Sequence, residues 1–186
     1  MSTPQLERLQ THCQRLRLYQ VAAELPTRLE QAAKQEVSYA QFLDDLLTRE
    51  VQAKSDKHLA MRLAMARLPF HKTLDAFDFK FQPSIDPKVI REVATGRYLT
   101  QAENVLLLGP PGVGKTHLAV ALGIKACEQG VRTLFTTAAT LMIALGKAVA
   151  ENRLEEKLKS LTQPQLLIID ELGYIPIDRQ GANLFF

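Results

Sequence analysis

Eight consecutive residues carry the clearest chemistry in this chain: Gly109-Pro110-Pro111-Gly112-Val113-Gly114-Lys115-Thr116. The pattern G-x-x-x-x-G-K-T folds into a loop whose backbone N–H groups cradle a polyphosphate. Gly112 and Gly114 let the backbone take conformations that a Cβ would block. A helix starting near Lys115 adds its positive dipole end and its unpaired N–H groups. In that arrangement Lys115 reaches the β- and γ-phosphates, and Thr116 offers its hydroxyl to Mg²⁺. A second stretch, Gln165-Leu166-Leu167-Ile168-Ile169-Asp170-Glu171, is an apolar run ending in two carboxylates. An acid at the end of such a strand holds Mg²⁺, so Asp170 is the candidate metal ligand. Glu171 is then placed to orient and deprotonate an attacking water. Together these residues predict binding, and hydrolysis, of a magnesium nucleoside triphosphate.

Such a site needs a strand, a loop and a helix in that order, and the flanking sequence supplies them. Asn104 to Leu108 is a short apolar run suited to a buried parallel strand. From Thr116 to Gln129, Leu118, Ala119, Leu122 and Ala126 recur at helical spacing before Gly130. Beyond it, strand and helix patterns alternate, which predicts a parallel α/β sheet. The expected strands are Val105–Leu108, Arg132–Thr136 and Leu166–Ile169. The expected helices are Lys115–Gln129, about Ala139–Val149 and about Glu151–Leu161. Gly173 to Asp178 reads as a loop, and Gly181 to Phe186 as the opening of a further helix. Only three core strands are visible, so the sheet reads as incomplete and the core as C-terminally truncated.

Residues 1 to 68 contain no glycine and read as helix almost throughout. Leu6, Leu9, Cys13 and Leu16 form one stripe behind Thr3-Pro4. Pro26 suits the first turn of a second helix, and Ser38 to Gln41 matches a capping box ahead of Phe42, Leu43, Leu46, Leu47 and Val51. The resulting division is an all-α N-terminal domain over 1–70, a bridging segment over 71–103 and a P-loop ATPase core over 104–186. In the bridge, Phe77, Phe79 and Phe81 alternate as an edge strand or an extended segment anchored by aromatics. Core packing is the favoured role for these rings, with stacking on a base as the alternative. Asp86-Pro87 is a helix start backed by Ile90, Val93 and Ala94.

The 186 residues are 46% hydrophobic with net charge +3, a globular composition that allows nucleic-acid binding without demanding it. Cys13 and Cys127 lack metal-ligand spacing and suit free thiols in a reducing cytoplasm. No apolar run reaches membrane-spanning length. The densest basic stretch holds Lys54, Lys57, Arg62, Arg67 and Lys72, opposed only by Asp56. Two readings of it stand side by side: contacts to a DNA backbone, or solvation of a packed helix.

The run Gly109 to Ala119, the segment Leu167 to Tyr174 and the stretch Lys72 to Phe79 together closely resemble the IstB family. These are ATP-binding helper proteins of bacterial insertion sequences, related to the DnaC helicase loader. The resemblance implies an AAA+ ATPase behind an N-terminal helical domain, with ATP and Mg²⁺ as cofactors. It implies DNA, a transposase of the same element and self-assembly as partners. Gly109 to Thr116 would hold ATP, Thr116 and Asp170 would hold Mg²⁺, and Glu171 would activate water. The position of the basic stretch raises its prospect as a DNA contact. The family's sensor strand, arginine finger and lid have no counterpart in these residues, so turnover is expected to be very low. The expected function is therefore a transposition helper. The alternatives are a DnaC-like helicase loader and a non-functional truncated remnant.

Overall fold

The computed structural model describes residues 3–173. The expected loop after Gly173 and the helix over 181–186 lie outside the described residues. The chain divides into two compact units, with the boundary between His58 and Leu59.

The first unit is helical. Helix α1 spans Thr3–Arg15, α2 spans Tyr19–Gln35, and α3 spans Tyr39–Ala66, of which the residues up to His58 belong here. Val21, Leu25 and Leu46 form its core, flanked by Leu6, Cys13, Leu18, Leu29 and Phe42. The Ser38 hydroxyl accepts from the Gln41 N–H at 3.2 Å, so one half of the expected cap is formed at the start of α3. Pro26 departs from its expected place: it lies inside α2 rather than in its first turn. A proline there cannot donate to the carbonyl four residues back, which is that of Ala22. The Gln10 side chain fills the gap, donating from Nε2 to the Ala22 carbonyl at 3.0 Å. Glu50 is buried, and its carboxylate accepts from the Val21 N–H at 3.0 Å, closing the first turn of α2.

The second unit is built around α6, Lys115–Glu128. Its residues Leu118, Val120, Ala121, Leu122, Gly123, Ile124, Ala126 and Cys127 are all buried, so the helix is enclosed nearly all round. Strands β1, Thr133–Thr137, and β2, Leu166–Asp170, pair in parallel with Thr133 opposite Leu166 and Thr137 opposite Asp170. Helices α7, Ala138–Ala150, and α8, Leu154–Leu161, make the crossover between them. Val120, Ile124 and Phe135 form one core with Leu63, Leu68 and Ile168. A second core of Phe77, Ile90 and Leu118, with Leu107, fastens the bridging segment onto α6.

Two expectations for this unit change. Val105–Leu108 is not a strand. Leu107 packs inward, while Leu106 and Leu108 are 74% and 88% exposed. A strand exists only through its ladder, and among the described residues β1 and β2 pair with each other and leave this run without a partner. The Phe77–Phe81 segment is also not a strand: a 3-10 turn over Leu74–Ala76 leads into further turns. The aromatic anchor survives, since Phe77 is buried with its ring edge-on to Phe79 at 4.8 Å. Helix α4, Pro87–Ala94, starts as expected, with the Asp86 carboxylate accepting from the Lys88 N–H at 2.8 Å. A short helix, α5, Arg97–Thr100, follows Gly96.

Candidate nucleotide-binding site

The loop over 109–116 runs straight into the first turn of α6. Gly114 stands immediately before that turn with φ +92°, a left-handed conformation that glycine adopts without penalty. It also has no room for a side chain, because a Cβ would lie 2.7 Å from Phe77 Cε2. A Cβ on Gly112, by contrast, would meet nothing within 4 Å. The loop is thus pinned against the bridging segment at Gly114 and open at Gly112.

Lys115 turns back onto its own loop, donating from Nζ to the carbonyls of Gly109 and Pro110, each at 2.8 Å. This places an ammonium group across the concavity where an anion would sit. An entering phosphate has to replace two neutral acceptors, an exchange that favours the charged partner.

Thr116 and Asp170 are 54 positions apart in sequence and meet in space. The Thr116 hydroxyl donates to Asp170 Oδ2 at 2.7 Å, in a half-buried setting. Asp170 is the last residue of β2, at the C-terminal edge of a parallel sheet, where ligands of open α/β sheets bind. Glu171 follows directly, exposed and with φ +61°, a conformation uncommon for any residue but glycine.

Behind the contact of Thr116 with Asp170, α6 packs on β2 at a glycine within the helix. A Cβ at Gly123 would lie 2.7 Å from Ile168 Cδ1, so a side chain there has to displace the end of Ile168 where α6 packs against β2. Sequence reasoning passed over Gly123. The signal was present: glycine in a helix interior is costly and often marks a close approach. His117 also has a part. Its Nε2 lies 3.1 Å from the Thr73 carbonyl and its ring stacks edge-on to Phe77 at 5.1 Å, tying α6 to the bridging segment.

Whether Mg²⁺ fits can be judged from these oxygens. The ion takes one or two protein ligands and fills its octahedron with phosphate oxygens and waters. A hydroxyl and a carboxylate oxygen 2.7 Å apart, facing a phosphate loop, match that demand. Among the described residues there is no cluster of three or more His, Cys, Asp or Glu that would hold a metal by protein ligands alone.

The basic stretch does not act as one set of free cations. Lys54 pairs with Glu50 at 3.4 Å. Arg62 donates from Nε to the Cys127 carbonyl at 2.8 Å, satisfying the last turn of α6. Lys57 is exposed on α3, and Arg67 is exposed just beyond its end. Lys72 lies 5.5 Å from the Phe70 ring and lines a cleft beside Gly112 and Gly114.

The chain is also similar to known ATP-binding proteins. A family described as IstB-like ATP binding protein matches residues 11–186. The ATP-binding protein of insertion sequence IS21 from Pseudomonas aeruginosa is 47% identical over 97% of this chain and 68% of its own length. That of insertion sequence IS5376 from Geobacillus stearothermophilus is 41% identical over 97% of this chain and 72% of its own. That of insertion sequence IS232 from Bacillus thuringiensis subsp. berliner is 40% identical with the same two shares, 97% and 72%. A match over residues 11–186, with relatives 40–47% identical over 97% of its length, places this chain in the IstB-like family of ATP-binding proteins.

Proposed function

We propose that this protein is the ATP-dependent helper of a bacterial insertion sequence, an AAA+ type ATPase that associates with DNA and with the element's transposase. The observation that carries the reading is the 2.7 Å contact between Thr116 and Asp170. It supports a single site in which the loop over 109–116 grips the triphosphate while Thr116 and Asp170 hold Mg²⁺. The bound ion would neutralise charge on the β- and γ-phosphates. Lys115 would leave the Gly109 and Pro110 carbonyls for the phosphate oxygens. Glu171 would take a proton from the water that attacks the γ-phosphate, yielding ADP and phosphate. The names of the relatives support the link to transposition.

ATP would serve here as a switch: the triphosphate orders the site and favours the assembly on DNA, and hydrolysis releases it. Lys57 and Arg67, exposed and without an ion pair among those described, are the stronger candidates for phosphate-backbone contacts. The test is DNA binding by fluorescence anisotropy at fixed salt with ATP, ADP or no nucleotide. We expect ATP to tighten binding about ten-fold in the native chain and to change nothing in Lys115→Ala. Equal affinity in all three nucleotide states would contradict the switch.

A further inference from the structure

The helical unit is neutral by count and divided by arrangement. Residues 3–17 hold Arg8, Arg15 and Arg17 against Glu7 alone, whereas residues 18–58 hold five Lys and Arg against seven acids. We propose, on the reading of this protein as DNA-associated, that the outer face of α1 is a contact surface for the phosphate backbone of duplex DNA, with Arg8 and Arg15 as its anchors.

Two stripes run along α1, each at the i, i+4, i+7 spacing of one helix face. Leu6, Gln10 and Cys13 form the inner stripe: Leu6 and Cys13 pack on the core of Val21, Leu25 and Leu46, and Gln10 bonds the Ala22 carbonyl. Arg8, His12 and Arg15 form the outer one. It lies two positions on, about 200° round the helix, and all three residues are exposed. Arg17 follows just beyond the helix, also exposed.

These cations lack the partners that others in the same unit have. Arg28, Arg49 and Lys54 each pair with the acid four residues earlier: Glu24 at 3.2 Å, Asp45 at 3.2 Å and Glu50 at 3.4 Å. Three and four positions from Arg8 stand Pro4, Gln5, Thr11 and His12; from Arg15, Thr11, His12, Leu18 and Tyr19. Among the described residues, no ion pair reaches Arg8, His12, Arg15 or Arg17. The C-terminal end of the helix dipole favours His12 and Arg15 in the last turn, but Arg8, in the first half, gains nothing from it. Basic side chains stacked without an acid between them repel one another, and a polyanion laid across the face relieves that repulsion.

Charge selects the partner, and the distribution of apolar residues narrows it. Arg8 and Arg15 stand two turns apart, about 10 Å along the axis. Duplex DNA carries a negative charge every 1.7 Å or so of its axis, so a face of this length meets several phosphates, which guanidinium groups bind in bidentate fashion. A helix lying on a membrane turns its apolar side to the lipid. In α1 that side is given to the core, and the exposed Leu9 and Leu16 lie about a quarter-turn to one side of the basic stripe.

The test is the salt dependence of binding by the full 186-residue chain to a labelled duplex of about 30 base pairs, read by fluorescence anisotropy between about 50 and 200 mM salt. Arg8→Gln with Arg15→Gln keeps helix-forming side chains at both positions and is expected to melt no lower than the native chain. It should weaken binding at least about ten-fold at the lowest salt and flatten the slope of log K against log salt by about 2. Arg8→Lys with Arg15→Lys keeps the charges and should keep the slope. Lys125→Gln with Lys159→Gln removes the same charge from cations paired with Glu128 and Glu155, and should also keep the slope. A native slope in the Arg-to-Gln variant would overturn the face as a DNA contact. So would equal flattening in the Lys-to-Gln variant, which reports net charge alone. A native slope combined with lost sedimentation on phosphatidylserine vesicles would assign the face to a membrane instead. In all three results the native chain still binds duplex, so DNA association stands. A native chain that binds no duplex would overturn DNA association, and this face with it.

Discussion

At the scale of single residues, the site sets two demands against each other at Glu171. Its φ of +61° costs about 1 kcal/mol in a residue with a Cβ. A glycine there would relieve that cost, yet it would remove the carboxylate that follows Asp170. We therefore expect Glu171→Gly to melt no lower than the native chain, and up to about 1 kcal/mol more stable, while losing hydrolysis. Glu171→Gln keeps the strain and the shape. It should bind ATP as the native chain does and cut single-turnover hydrolysis about 10²-fold, the lower end for a lost general base. Equal hydrolysis in Glu171→Gln would remove the residue from the mechanism.

At the scale of elements, we expect the packing of α6 against β2 at Gly123 to support the placement of Asp170. Gly123→Ala gains about 1 kcal/mol of helix propensity, which offsets a contact with the mobile end of Ile168. Gly123→Val adds branched bulk against Ile168, Leu68 and Thr133, and overpacking of this kind costs about 1–3 kcal/mol. We expect Ala to be near neutral in denaturant unfolding, and Val to lower both stability and Mg-ATP affinity. If Gly123→Val binds Mg-ATP as tightly as the native chain, the strand does not need this packing to present Asp170. In the helical unit, Gln10→Ala should cost about 1 kcal/mol because it orphans the Ala22 carbonyl. In a Pro26→Ala background the restored N–H serves that carbonyl, so the same change should cost less. Additive losses in that double-mutant cycle would exclude the compensation.

For the whole molecule, what was legible in the sequence follows from how local each cause is. The glycine turn before α6, the cap at Asp86 and the helix over Lys115–Glu128 depend on neighbours in sequence, and each formed close to where its residues predicted. The parallel direction of β1 and β2 also followed from the alternation of strands and helices, whereas which strands are neighbours did not. The run Val105–Leu108 failed because strand formation depends on a partner elsewhere, which an apolar pattern does not reveal. Pro26 failed for a related reason: a proline inside a helix is tolerated only if something distant takes the orphaned carbonyl, and Gln10 does. The basic stretch dissolved into separate roles once Glu50, the Cys127 carbonyl and Phe70 were placed beside it. No described helix is long and apolar enough to cross a membrane.

The central claim is that residues 109–116 and Asp170 form one magnesium–triphosphate site, and calorimetric titration of ATP with and without Mg²⁺ tests it most directly. The native chain should bind ATP more tightly with Mg²⁺ than without, and Thr116→Ala and Asp170→Ala should each lose that gain while keeping metal-free binding. A magnesium gain that survives both substitutions would mean that the 2.7 Å contact serves the fold and not the ion.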